Sequence, residues 1–154
     1  MPDQVLIACS GGGLASGSAL AIRGLSPDAE VLCVEPEDYD DTRRSLAAGH
    51  RVTIAPEQRS ICDALLAPSP GAITFALMRR LLAGGVTVTD AEVRAAMVWA
   101  FHHLRLVVEP GGAVALAAVL AGKVETRGRT TAIVISGGNV DPAALVEAFR
   151  SARA

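Results

Sequence analysis

Two short runs in this 154-residue chain have the composition of ligand-holding turns. Ser10-Gly11-Gly12-Gly13 follows the apolar run Val5–Cys9, and Ser136-Gly137-Gly138-Asn139 follows Ala132–Ile135. Glycine lets a backbone turn tightly and lets successive N–H groups converge on one concavity. A helix starting at once after such a turn, here near Leu14, adds its unpaired amides and its positive dipole end. A phosphate is the natural occupant of the first loop. The plainer alternative is a strand-to-helix turn in which glycine serves close packing alone. Gly11, Gly13 and Gly17 also fit a loose dinucleotide fingerprint, with Glu35 18 residues beyond Gly17 at a strand end, where it could hold a ribose hydroxyl.

Other chemically capable residues are fewer. Glu35-Pro-Glu-Asp-Tyr-Asp-Asp41 carries five carboxylates in seven residues. Hard cations such as Mg²⁺ or Ca²⁺ take carboxylate and carbonyl oxygens, but an acidic helix start favoured by the macrodipole accounts for the same pattern. His102 and His103 are adjacent on an expected helix, so they point in different directions, and their spacing does not suit zinc. They are read as non-catalytic, and Met97, Trp99 and Phe101 as core packing. Of fourteen Lys and Arg residues only Lys123 is lysine, in the polar connection Gly122–Gly128.

The elements that must position these residues follow from periodicity. Val5–Cys9 and Glu30–Glu35 read as buried strands, as do Val86–Val88 and Ala132–Ile135. Helical spacing runs over Leu14–Leu25, Asp40–Ala48, Ile73–Leu82, about Ala91–Leu106 and Ala113–Ala121. Thr89-Asp-Ala-Glu92 is a capping box for the fourth helix, Glu109-Pro-Gly-Gly112 breaks the chain, and Asp141-Pro142 opens a last helix. The helix 113–121 has almost no polar face and should be buried all round. Residues 49–72 form a long connection, a size that in compact domains is usually functional. Strand and helix alternate, which with right-handed crossovers gives an α/β fold, one parallel sheet with helices on both faces. The first strand starts so early that one of its edges lacks an obvious partner, which would leave an apolar edge open.

Bulk composition narrows the function. Half the residues are hydrophobic (51%) and only 3% aromatic, the profile of a single α/β domain, 1–154, built on small aliphatic side chains. A net charge of −2 with no basic stripe argues against nucleic acid, and no apolar run is long enough to span a membrane. Cys9, Cys33 and Cys62 form no C-x-x-C pair and read as reduced buried thiols, which with no signal peptide implies a cytoplasmic protein.

Six pieces of the chain stand out together: Ser10-Gly-Gly-Gly-Leu14, Val34-Glu-Pro36, Ser60-Ile-Cys-Asp63, Val88-Thr-Asp90, Val108-Glu-Pro-Gly-Gly-Ala113 and Ser136-Gly-Gly-Asn-Val-Asp141. In order and spacing they resemble the fold-type II pyridoxal 5′-phosphate (PLP) enzymes of the serine/threonine dehydratase and serine racemase group. The resemblance implies the PLP-binding half of a tryptophan synthase β-like fold with three layers. It implies that Ser10, Gly11, Gly12, Gly13 and Leu14 cradle the cofactor phosphate and that Ser136 hydrogen-bonds the pyridine nitrogen. A neutral hydroxyl there holds the ring less protonated than a carboxylate would, a weaker electron sink suited to β-elimination. Glu109 lies near the ring in such relatives, although it could equally cap the next helix, and Asn139 is expected to fix the second loop through side-chain to backbone bonds. Glu35, Asp41 and the Tyr39 carbonyl match positions that hold a divalent ion, Mg²⁺, Ca²⁺ or Mn²⁺.

The same resemblance exposes a gap. PLP chemistry needs a Schiff-base lysine of lowered pKa. Lys123 matches no family lysine and is expected at the wrong end of the sheet, and the relatives carry theirs ahead of the first glycine loop. The chain is therefore expected to be the C-terminal half of a dehydratase-like enzyme, inactive alone. The complete enzyme would turn a small hydroxyamino acid into a 2-oxo acid and ammonia, or be a serine racemase or a 3-hydroxyaspartate dehydratase. A non-catalytic PLP- or anion-binding module completed by a partner chain carrying the lysine half is the alternative. A homo-oligomer is expected in either case. Relatives commonly have Asp-Gly where this chain has Asp63-Ala64, and the extra methyl group would lie near the cofactor.

Overall fold

The computed structural model describes residues 1–151, so the last three positions of the expected domain lie outside the described residues. Four parallel strands, β1 (Gln4–Ala8), β2 (Glu30–Pro36), β3 (Gly84–Val88) and β4 (Thr131–Ile133), pair in the order β3-β2-β1-β4. Gln4 is in register with Glu30 on one side and with Thr131 on the other. The first strand is thus central, and the open edge expected for it is filled by β4, returning from far along the sequence. Pairing runs one residue past β4, where the Val134 N–H donates to the Leu6 carbonyl at 3.0 Å.

Side-chain alternation along the strands divides the core in two. Leu6, Ala8 and Val34 face helices α4 (Asp90–Trp99), α5 (Pro110–Leu120) and α6 (Pro142–Ser151). Val5, Ile7, Cys9, Val31 and Cys33 face α1 (Gly13–Leu25), α2 (Asp41–Ala48) and α3 (Ala72–Leu81). Three layers result, because period-two strands buried on both faces need a helix layer on each. All three cysteines are buried free thiols.

Two element boundaries differ from the sequence expectation, each for a local reason. Glu109-Pro-Gly-Gly112 does not break the chain but opens α5: Pro110 sits at the first helical position, where its missing N–H costs nothing. From there to Ala118 every residue is buried, as the missing polar face required. The fourth helix does not run evenly to Leu106. It widens into a π-turn over Ala100–Leu104 and stops at Arg105, whose φ is 60°. Of the three expected core residues there, Met97 is buried and Trp99 packs partly on the core, but Phe101 is exposed and meets Phe149 edge-on. The 49–72 connection is irregular apart from a 3₁₀ turn at Asp63–Leu65.

Candidate functional site

Both glycine loops leave the carboxyl ends of neighbouring parallel strands, the edge at which open α/β sheets hold ligands. The first loop turns directly into α1. Gly12 is its N-cap at φ 90°, a left-handed conformation open to glycine, and a Cβ there would run into the Met78 side chain. No side chain caps α1, and the N–H groups of Gly12, Gly13 and Leu14 have no acceptor among the described residues. Gly11, Gly13 and Leu14 are exposed at the surface of the turn. Free amides converge there at the positive end of a thirteen-residue helix.

The long connection holds this loop from its other side. The Ala67 N–H donates to Ser10 Oγ at 3.3 Å, while the Gly71 N–H and the Thr74 hydroxyl both donate to the Gly11 carbonyl, at 3.1 and 2.5 Å. The Gly11 carbonyl is thus engaged twice, while the amides are left free. Across from the loop stand Ala64 and Leu65. Together with Ala8 and residues 10–14 they line a cleft of about 210 Å³.

The second loop is tied to the amino end of α5. Gly112 lies so close to it that a Cβ would fall 1.7 Å from the Ser136 carbonyl oxygen. The Glu109 carboxylate does not cap α5; its Oε2 accepts the Asn139 N–H at 3.0 Å, while the Glu109 N–H donates to the Gly137 carbonyl at 3.3 Å. Gly137 has φ 80° and leaves no room for a Cβ beside that carboxylate. Asn139 therefore holds the loop through its backbone, not through its side chain as expected. A methyl group added to neighbouring Gly111 would meet Leu65 at 3.3 Å and Ala64 at 3.5 Å. The amino end of α5 thus touches the second loop on one side and the wall of the first loop's cleft on the other. Ser136, half-buried, and Gly12 belong to one connected edge of the molecule.

Sequence reasoning missed Leu65, Ala67 and Thr74 as parts of this edge. Their contacts span 57 to 63 residues or arise in irregular chain, and no local period reports such packing.

The acidic run is arranged differently. Glu35 is fully buried, and its two oxygens accept the N–H groups of Thr42 and Arg43 at 2.9 and 2.8 Å, capping α2 from the preceding strand. Burial pushes its carboxyl up to about 8 against the opposing pull of those two amides. Asp41 is also buried and its two carboxylate oxygens have no hydrogen-bond partner; burial, with the Asp40 charge beside it, raises it to about 7. Asp40 pairs with Arg43 and Arg44. Tyr39 ends a short 3₁₀ turn between Glu35 and Asp41. Among the described residues no three His, Cys, Asp or Glu side chains gather as a metal cluster. His102 and His103 are exposed, the latter stacked on Trp99.

Lys123 is not among the residues that line the cleft beside the first loop. Its Nζ pairs with Glu92 Oε1 at 2.9 Å, and the Glu125 carbonyl, two residues on, accepts from Gln4 Nε2 at the amino end of β1. Among the described residues no helix is long and apolar enough to cross a membrane.

Comparison with known proteins is consistent across sequence and structure. Residues 1–137 match the family model described as pyridoxal-phosphate dependent enzyme. A serine racemase of Arabidopsis thaliana is 36% identical, covering 98% of this chain and 46% of that protein. An L-threo-3-hydroxyaspartate ammonia-lyase of a Pseudomonas species is 38% identical over 90% of this chain and 43% of that protein. The structure of the processed form of threonine deaminase isoform 2 from Solanum lycopersicum superposes with a TM-score of 0.87 at 28% identity, covering 98% of this chain and 44% of that one. The chain spans less than half the length of these two curated relatives.

Proposed function

The chain belongs to the pyridoxal-phosphate dependent enzyme family, and we propose that it forms the phosphate- and ring-nitrogen-binding half of the cofactor site in a hydroxyamino-acid ammonia-lyase. The observation that carries this reading is the joining of two glycine loops, at the ends of adjacent strands, through the amino end of α5. A ligand with an anionic group at one end and a ring-nitrogen acceptor at the other suits that edge.

PLP, when bound, supplies an electron sink for the pair left behind when a substrate Cα proton is removed. The residues of this chain then have distinct tasks. The free amides of Gly12, Gly13 and Leu14 would donate hydrogen bonds to the phosphate oxygens, helped by the α1 dipole. Ser136 would offer a neutral hydroxyl as donor to the ring nitrogen, without the negative charge a carboxylate would place there. Glu109 keeps the second loop in place through the Asn139 N–H. Ala64 and Leu65 would give the cleft an apolar wall.

The proton-moving lysine would come from outside these 154 residues, since the one lysine in them, Lys123, is engaged with Glu92. Threonine, serine and 3-hydroxyaspartate are the candidate substrates of the complete enzyme, which is expected to be a cytoplasmic homo-oligomer, and racemisation of serine is the alternative activity. The test is mass spectrometry after incubation with PLP and borohydride reduction. PLP held without covalent attachment is expected. Reduction of the cofactor onto Lys123, with release of ammonia from threonine by this chain alone, would overturn the assignment.

A second reading concerns a divalent cation. The buried, partnerless carboxylate of Asp41, beside Glu35, is the observation that favours it. Asp41 with Glu35 and the Tyr39 carbonyl would hold Mg²⁺, Ca²⁺ or Mn²⁺ through hard oxygen ligands, bracing the turn between β2 and α2.

A further inference from the structure

Two sequence motifs lie outside both glycine loops: Ser60-Ile-Cys-Asp63 in the long connection, and Asp90 at the start of α4. They meet through a carboxylate. Asp90 Oδ1 accepts the Ser60 hydroxyl at 2.6 Å and Oδ2 accepts the Ile61 N–H at 3.1 Å. The Ser60 Oγ in turn accepts the Cys62 N–H at 3.1 Å, and the Cys62 carbonyl accepts the Leu65 N–H at 2.8 Å. This relay starts on a rigid base. Thr89 and Glu92 form a complete capping box around Asp90, so the first turn of α4 is fixed where it leaves β3. The relay ends at Leu65 and Ala64, which wall the cleft beside the first glycine loop and rest against Gly111.

Besides this relay, the wall rests on the packing of buried Leu65 against the amino end of α5. The chain on either side of it lacks secondary structure, and Ala64 itself is exposed. A single carboxylate accepts two hydrogen bonds from the turn, one of them from a buried hydroxyl, and so ties it to the start of α4. β3 lies two strands away from β1, so the restraint carries the geometry of the far sheet edge to the cleft.

We propose that Asp90 is a positioning residue for the cofactor cleft: through Ser60 it sets where Ala64 and Leu65 stand opposite residues 10–14, and thereby how tightly a phosphorylated pyridine is held. The inference rests on the PLP reading above and adds to it a residue that touches no cofactor. Losing a charge-assisted pair of this kind weakens what it positions by about tenfold or more.

The experiment is equilibrium dialysis of PLP against the wild-type chain and the variants Asp90→Ala, Asp90→Asn and Ser60→Ala, at a temperature where circular dichroism shows each fully folded. Asp90→Ala is expected to bind PLP at least about tenfold more weakly and to be cut faster by trypsin after Arg59. Asp90→Asn can still accept the Ile61 N–H and face Ser60, and it should recover most of the affinity, a rescue that general destabilisation would not produce. Wild-type affinity in Asp90→Ala would overturn the positioning role and leave the cofactor reading standing. Should Asp90→Ala not fold, Ser60→Ala decides by the same criterion. Failure of the wild-type chain to bind PLP at all would overturn the cofactor reading, and this inference with it.

Discussion

Replacing Gly112 with alanine separates close approach from helix propensity, because Gly111 provides the control one residue away. Both lie in the first turn of α5 and both are fully buried. In each, Gly→Ala adds one methyl group and gains up to about 1 kcal/mol of helix propensity. The methyl groups meet different surroundings. At Gly111 the contacts are 3.3 Å to Leu65 and 3.5 Å to Ala64, which small side-chain shifts absorb. At Gly112 the methyl group would lie 1.7 Å from the Ser136 carbonyl oxygen, with the Gly137 carbonyl at 2.9 Å, and both obstacles are backbone. Restoring a carbon–oxygen contact of about 3.3 Å requires α5 and the second loop to part by roughly 1.6 Å. Overpacking of this kind costs about 1–3 kcal/mol, and a backbone obstacle belongs at the upper end. Gly112→Ala should therefore be about 2 kcal/mol less stable than Gly111→Ala, which at this size lowers Tm by about 4–8 °C. Urea denaturation followed by circular dichroism measures the difference, and PLP dialysis should show weaker binding in Gly112→Ala alone. Equal stability of the two variants would mean that α5 and the second loop do not touch as described.

Other expectations follow from single contacts. Gly12→Ala must hold a left-handed φ and displace Met78, so a loss of about 1–2 kcal/mol in stability, with weaker PLP binding, should appear in the same two assays. Thr89→Ala removes the capping box and should cost about 1 kcal/mol in urea denaturation, with no change if the cap is idle. Lys123→Ala breaks a part-exposed ion pair with Glu92 and should leave PLP binding unchanged while costing less than about 1 kcal/mol; loss of PLP binding would place the lysine in the site. Glu35 and Asp41 are raised to about 8 and about 7, so the folded chain keeps their protons where the unfolded chain has released them. Their contribution is therefore full near pH 4 and declines as pH rises towards 8. A cation needs both groups ionised, so Mg²⁺ should raise Tm more at pH 8.5 than at pH 6, and Asp41→Asn should abolish the difference; equal shifts at both pH values would count against the cation.

The fold was largely legible because its signals are local. Apolar runs ending in glycine turns marked β1 and β4, and the absence of a polar face marked α5 as buried. The place of β4 beside β1 was not legible, since pairing between Gln4 and Thr131 leaves no periodic trace, and so the central strand looked like an open edge. The π-turn at Ala100–Leu104 was hidden for the opposite reason: its apolar residues continue the helical period, while the backbone departs from it to reach Arg105. At the site, both loops were identifiable from composition. What joins them, Gly112 against Ser136 and Leu65 against Gly111, depends on which helix end reaches the sheet edge. The Glu109 carboxylate was equally ambiguous before folding, because a residue preceding Pro-Gly-Gly can serve its own helix or a distant loop.

Amide NMR of the ¹⁵N-labelled chain during titration with PLP bears most directly on whether one ligand bridges both turns. Resonances of residues 11–14 and of 136–139 should shift together with a single dissociation constant, and pyridoxal, which lacks the phosphate, should move only the second set. Shifts confined to one loop, or centred on Lys123, would contradict that bridging.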